Sequence, residues 1–475
     1  DYAYNNARRL TSVTALDGQK IEYTHDLLGN VTSTTIKNSA AAITYQMTQT
    51  YDELGRLLKQ IGAATQETRY AYEKNDNLKT VTDPRNEVYS YAYDAVNRLI
   101  RETDPDTWQV NLTRDGKGDV SAYQDPRSIT TSYVRNGFGE IIRRASPDSG
   151  TTDTVRDARG LPTQVTDGRG VVASMTYDNT GRILTRTFPS APAEAMTFVY
   201  DAIASGNKGK GRLTSTTHQG GSVALVYDAR GNVTRDTRVI GGFTYITDYA
   251  YDAADNVSLV TYPSGRQVEN VRDSMGRVTT VRTRKPSTGA WSNIATAIVY
   301  QPLSNLVKSF THGNGLATTN THSLDYEQSR CQVTDGTLAL IDKSYARSDK
   351  LNITSITDAV AAGNSQSLWY NKSNRLQNAD GPWGQKTYYY DGTGNRTYEI
   401  TTPSGGGTVT DTLGYPGSSN RIADVLTGTT TTRTFTHDGA GNITADVRSG
   451  STKQLASAVG EGSIAVSFVH QVLHE

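Results

Sequence analysis

The chain has 475 residues, with 48 Lys and Arg against 48 Asp and Glu, and only 20% of its residues are charged. A neutral, sparsely charged chain is not a disordered polyelectrolyte, and it has no general field for nucleic acid or anionic lipid. The single cysteine, Cys331, excludes an internal disulfide framework and a four-cysteine zinc site. No apolar run approaches a membrane span. The opening Asp1-Tyr2-Ala3-Tyr4 is neither a signal peptide nor a Met start, so the expectation is a piece of a longer protein.

There are 43 glycines and 28 tyrosines against 7 phenylalanines and 4 methionines. Tyrosine and threonine favour sheet, and spaced glycines favour tight turns. A six-residue pattern, Tyr/Arg-Asp-x-x-Gly-Arg/Asn, starts at positions 4, 25, 51, 72, 93, 114, 135, 156, 177, 200, 227, 251, 272, 300, 326, 345, 370, 390, 415 and 437. From 51 to 177 the step is 21 residues without a slip. The clearest copies are Tyr51-Asp52-Glu53-Leu54-Gly55-Arg56, Tyr177-Asp178-Asn179-Thr180-Gly181-Arg182, Tyr227-Asp228-Ala229-Arg230-Gly231-Asn232 and Tyr390-Asp391-Gly392-Thr393-Gly394-Asn395. Such self-similarity decides the architecture.

A second turn signal follows eleven residues later, as in Asp83-Pro84-Arg85, Asp104-Pro105, Asp125-Pro126-Arg127, Ser146-Pro147-Asp148 and Asp167-Gly168-Arg169-Gly170. Each repeat is thereby split into two strands of about six to eight residues. No segment carries a capped helical stripe, and 191–204, the nearest candidate, reads as strand or loop. In each turn the Gly supplies positive φ and the Asp accepts from backbone N–H groups just ahead of it. Asn97 and Asn374 replace that Gly because Asn tolerates the left-handed region. The closing Arg is long enough to lie across the Tyr ring of a neighbouring repeat.

Hairpins of this length need neighbours. A propeller would require about ten blades, more than the usual number, and hairpin turns argue against a parallel solenoid. The expected fold is all-β: one long antiparallel sheet of about twenty hairpin repeats, curling because strand twist accumulates. The repeat array spans 1–448, and 449–475 forms a C-terminal tail, the expected start of a downstream region.

Tyr51 to Leu57 reads Tyr-Asp-x-x-Gly-Arg-Leu, and Tyr177 to Ile183 and Tyr227 to Val233 follow it with conservative changes. This resembles the YD-repeat or Rhs (rearrangement hotspot) family, which includes the C component of insecticidal toxin complexes and the teneurin shell. The resemblance implies a hollow spiral shell, in bacterial toxins a cocoon around a C-terminal toxin. It further implies a secreted or cell-surface bacterial protein whose partners are its own cargo and the flanking parts of its parent. The family's closing Asp-Pro-x-Gly-like junction is not recognisable after His437-Asp438-Gly439-Ala440-Gly441-Asn442, so self-cleavage by this piece is not expected.

Nothing in the residues points to catalysis, a cofactor or a metal. His25 and His437 occupy the Tyr slot as aromatic replacements, His312 and His322 flank Asn314-Gly315, and His470 and His474 lack a third ligand. Cys331 reads as a plain buried thiol, and the turn aspartates lack the spacing of a calcium loop. The densest aromatic patch, Trp369, Tyr370, Trp383 and Tyr388, is the candidate binding surface, for a cell-surface or glycan partner. Outer loops at 205–211, 284–294 and 404–408 belong to the same alternative of an adhesion scaffold.

Overall fold

A computed structural model describes residues 1–286 and 289–448. Among them there is no α-helix: forty strands make one sheet, interrupted by three 3-10 turns. The strands therefore number two per repeat. Every described pairing is antiparallel and joins consecutive strands, as between Ile43–Tyr51 and Leu57–Gly62. Residues 191–204 hold a 3-10 turn at Pro192–Glu194 and the strand Met196–Tyr200, as the prolines and the Phe198-Val199-Tyr200 run require. The tail at 449–475, with His470 and His474, lies outside the described residues, as do two residues of the 284–294 loop.

The repeat turn explains the register. Tyr51 pairs with Leu57, but Thr50 pairs with Lys59, so one residue bulges out where the turn meets the second strand. The same bulge occurs at Tyr72, Tyr227 and Tyr390. A residue with positive φ at the turn's end is what such a bulge demands. Gly55, Gly181, Gly231 and Gly394 supply it at φ 78°, 90°, 98° and 91°. Asn97 and Asn374 do so at 64° and 67°, and Asp76 and Asp255 fill the same role.

Two starts read from the sequence are displaced. Tyr326 and Leu351 hold the positive-φ position of turns running from Ser323 to Glu327 and from Ser348 to Asn352. The Tyr slots of these repeats are His322 and Arg347, not Tyr326 and Tyr345, and they pair with Gln328 and Ile353 across the usual bulge.

Strand alternation gives two unequal faces. In Thr130–Arg135 the residues Thr130, Ser132 and Val134 are exposed, while Thr131, Tyr133 and Arg135 are half-buried. Among the described residues the buried apolar side chains are just Ile36, Ile129, Ala173, Pro302, Ala379 and Val425, and no large side chain is fully buried. Cohesion therefore rests on the hydrogen-bonded ladder and on neighbour-to-neighbour contacts along one half-buried face. The chain divides into two compact units, one of residues 1–89, 177–186 and 193–368, the other of 90–176, 187–192 and 369 onwards.

Candidate functional site: repeat locks and turn-on-turn seams

The repeat turn is a lock built by its Asp. Asp52 Oδ1 accepts from the backbone N–H of Leu54 at 3.0 Å and of Arg56 at 2.9 Å, and Oδ2 takes the Arg56 Nε at 2.6 Å. Asp178 repeats this with Thr180 and Arg182, and Asp228 and Asp391 repeat it with Asn232 and Asn395 in place of Arg. These bonds hold the Asp52 and Asp228 carboxyls below the usual carboxylate range, with the backbone N–H of the turn-closing residue the largest cause.

The Tyr slot then ties one repeat to the one before it. Tyr72 donates its phenol to the Leu57 carbonyl at 2.9 Å, and Tyr51, Tyr227, Tyr251, Tyr300 and Tyr390 each find the corresponding carbonyl. Burial pushes the Tyr51, Tyr72 and Tyr227 phenols above their usual range, which keeps them protonated donors. Where the slot holds Arg, the guanidinium takes over that carbonyl: Arg114 reaches Leu99 O at 2.9 Å and Arg156 reaches Ile141 O at 3.4 Å. Arg114 and Arg156 also donate to the carbonyls of Gly118 and Gly160 in their own turns. This shared partner is the physical reason one slot accepts either Tyr or Arg.

The closing Arg lies over the next Tyr ring, as its length suggested. Arg56 sits 4.7 Å from the Tyr72 centroid, Arg182 is 4.5 Å from Tyr200 and Arg375 is 5.2 Å from Tyr390.

Within each compact unit, turns far apart in sequence also dock on one another. In the first unit Asp17 pairs with Arg277 at 3.1 Å, Ala63 N–H donates to Asp325, and Lys350 pairs with the buried Asp83 at 2.7 Å. In the second, Arg127 donates to the Ser419 and Pro416 carbonyls at 2.7 and 2.9 Å. Asn420 is the keystone there. Its Nδ2 donates to Asp125 Oδ2 at 2.6 Å and Asp148 Oδ2 at 3.0 Å, while its Oδ1 accepts from Arg127 and Asn395, both at 3.0 Å. Beside it lies a cavity of about 260 Å³, walled by Tyr123, Ile129 and Gly392. Farther along, Gly168 and Gly439 approach backbone to backbone with no room for a Cβ on either. In both units the eleven-residue turns of early repeats seat on the Tyr-Asp turns of late ones. Sequence reading found these turns but not Arg127 or Asn420 as partners, because 293 residues separate them.

The aromatic patch is split. Trp369 and Tyr370 are consecutive on the strand Gln366–Tyr370, so they alternate to opposite faces. Tyr388 shares the face of the slot residue Tyr390 and lies under Arg396 at 4.7 Å, and Trp383 sits in a turn against Gly381. His312 bonds Thr318 and His322 faces Gln301, so the two histidines have separate partners. Cys331 is half-buried rather than buried. Asn207 in the 205–211 loop is buried and bonds Tyr227 N–H and Leu225 O, both at 2.9 Å. The described residues contain no group of three or more His, Cys, Asp or Glu placed to hold a metal ion.

Known proteins carry the same repeat. The RHS repeat family matches residues 51–84, 72–107, 156–192 and 227–267. Residues 51–107, 156–192 and 227–267 are RHS repeats. Its fold is shared by the Photorhabdus luminescens Tc holotoxin pore, with a TM-score of 0.78 and 15% identity over 95% of this chain and 28% of that one. The TcdB2-TccC3-TEV structure superposes with a TM-score of 0.77 and 17% identity, over 92% of this chain and 26% of the other. TcdB2-TccC3 without its hypervariable C-terminal region gives 0.77 and 15%, over 95% and 29%. At these identities the likeness is one of fold, and the chain spans less than a third of the chains it matches. No curated protein matches the sequence.

Proposed function

We propose that this chain is a non-catalytic wall segment of a larger bacterial RHS-repeat protein, secreted or displayed at the cell surface, whose shell encloses or presents a polypeptide cargo such as a C-terminal toxin. The observation that carries the reading is the superposition of 95% of the chain on a structure containing TccC3, a protein with a hypervariable C-terminal region. The local chemistry agrees with it. The Asp of each repeat is consumed in locking its own turn, the Tyr in bonding the repeat before and the Arg in covering the ring of the next, which is what a wall requires. Its partners are then its own cargo and the flanking parts of its parent.

The test is to express the parent polypeptide with its native flanks and follow proteolysis of whatever lies beyond the repeats. Enclosure predicts that this segment survives a protease dose that destroys it when it is produced by itself. Equal cleavage rates in the two settings overturn the proposal.

A further inference from the structure

The residue directly before the Tyr slot alternates to the face opposite the slot, and it is exposed in nearly every repeat. Across the array it is Ala, Val, Thr or Gly, as at Thr50, Ala71 and Val134, except in two consecutive repeats. There it is Trp369 and Tyr389, which are 48% and 45% exposed. Tyr389 pairs across the ladder with Tyr398, also 45% exposed, their rings edge to face with centroids 6.2 Å apart. All three belong to the second compact unit. Large rings left in water, at a position where small residues satisfy the fold everywhere else, are not explained by stability.

The surroundings say what the rings suit. Trp369 and Tyr389 stand on the first and third of three successive strands, two strand spacings or about 10 Å apart, the length of a disaccharide. The strand between them, Leu376–Gly381, puts Asn378 and Asp380 on the same face, since these pair with Thr387 and Gln385, which alternate with Tyr389. The Oδ1 atoms of Asn378 and Asp380 are buried and have no hydrogen-bond partner within the chain, while the Gln385 amide on the same face is exposed. Thr412, opposite Tyr398, continues the polar border. Among these face residues Asp380 alone is charged, so the strip lacks the cationic groups that nucleic acid demands. The rings also lie open on the sheet, not in the closed apolar pocket that anchors a protein partner.

We propose that Trp369, Tyr389 and Tyr398 form a binding strip for a neutral, extended polysaccharide. The apolar C–H faces of the sugar rings stack on the aromatics, and the sugar hydroxyls meet the Gln385 amide and the Thr412 hydroxyl beside them. This site does not depend on the cargo reading and would stand in a shell of any content.

Affinity electrophoresis through gels carrying hydroxyethylcellulose, laminarin or glycol chitin tests it. At least one of these polymers should retard the chain. Trp369→Thr and Tyr389→Val, which install residues that other repeats carry at this position, should each weaken that retention about tenfold. Tyr388→Phe, on the opposite face, should leave it unchanged. Acrylamide quenching of tryptophan fluorescence should fall on adding the retained polymer, and fall less in Trp369→Thr. Absence of retardation by all three polymers overturns the proposal, as does wild-type retention in the Trp369→Thr/Tyr389→Val double variant.

Discussion

The Arg56 guanidinium lies 4.7 Å from the centroid of the Tyr72 ring while the Tyr72 hydroxyl donates to Leu57 O at 2.9 Å, so one repeat is clasped by the next through both charge and hydrogen bond. Tyr72→Phe keeps the stacked ring and removes the hydroxyl, and should cost about 1 kcal/mol in urea unfolding. Tyr72→Ala removes both and should cost more. The Arg slots extend the argument. Arg156→Tyr should be tolerated, because a phenol satisfies the same Ile141 carbonyl, whereas Arg156→Ala should not. Equal destabilisation by both Arg156 variants would show that the shared carbonyl is not the reason the slot accepts either residue.

Two glycines separate conformation from contact. Gly55 has φ 78°, and a Cβ there would meet nothing nearer than Asn30 at 3.5 Å. Gly55→Ala should therefore cost about 1–2 kcal/mol, the price of the left-handed region alone. Gly439 lies outside that region, but a Cβ would strike the Gly168 carbonyl. Gly439→Ala should cost about 1–3 kcal/mol through overpacking and backbone shift. An Asn replacement, which eases positive φ, should recover part of the loss at 55 and none at 439. Thermal melts of the four variants decide it.

The local half of this architecture was legible because its causes are local. An Asp that accepts N–H groups two and four residues ahead, followed by a residue at positive φ, announces itself within six letters, as at Tyr51 to Arg56. The local signal misleads where tyrosine takes the glycine's place. Tyr326 adopts φ 62° and its hydroxyl is held by Pro302 O at 2.6 Å, so the conspicuous aromatic marks the turn's end and the true slot is His322. Sequence proximity groups Trp369 and Tyr370 in one aromatic patch and hides the alternation that sends them to opposite faces. The seams were not legible at all. Nothing near Asp125-Pro126-Arg127 specifies a partner at Ser419 and Asn420, since that pairing depends on how many repeats the sheet passes through before the turns meet again.

The turn carboxylates set the acid limit. Asp52, Asp94, Asp228 and Asp252 are each held below their ordinary value of 3.8, first by the backbone N–H of the residue closing the turn and then by its Arg or Asn side chain, against opposition from burial. A carboxyl depressed in the folded state is protonated first in the unfolded chain as pH falls. Its contribution is therefore whole above the unfolded value and is lost progressively on acidification below it. The urea midpoint should hold between about pH 5 and 8 and fall below about pH 4. Asp52→Asn, which keeps an acceptor oxygen but no titrating group, should lower the neutral-pH midpoint and flatten the acid slope. A midpoint that rises on acidification would contradict this account.

The seam of the second unit makes the sharpest demand on one residue. Asn420 meets two carboxylates with its amide nitrogen and three donors, Arg127, Asn395 and Thr393, with its oxygen, an arrangement that no other side chain of its size can supply. Asn420→Asp is isosteric, yet it turns an oxygen toward Asp125 and Asp148 and places three carboxylates together. Asn420→Ala loses the same bonds without adding charge. The Asp variant should be the worse, by about 1–3 kcal/mol beyond Ala at pH 7. The difference should narrow as the pH is lowered toward 4, because a protonated carboxyl at 420 can again donate. Urea denaturation of the pair at pH 7 and about pH 4.5 checks both statements. A gap that does not change with pH would mean that shape rather than charge selects asparagine at this position.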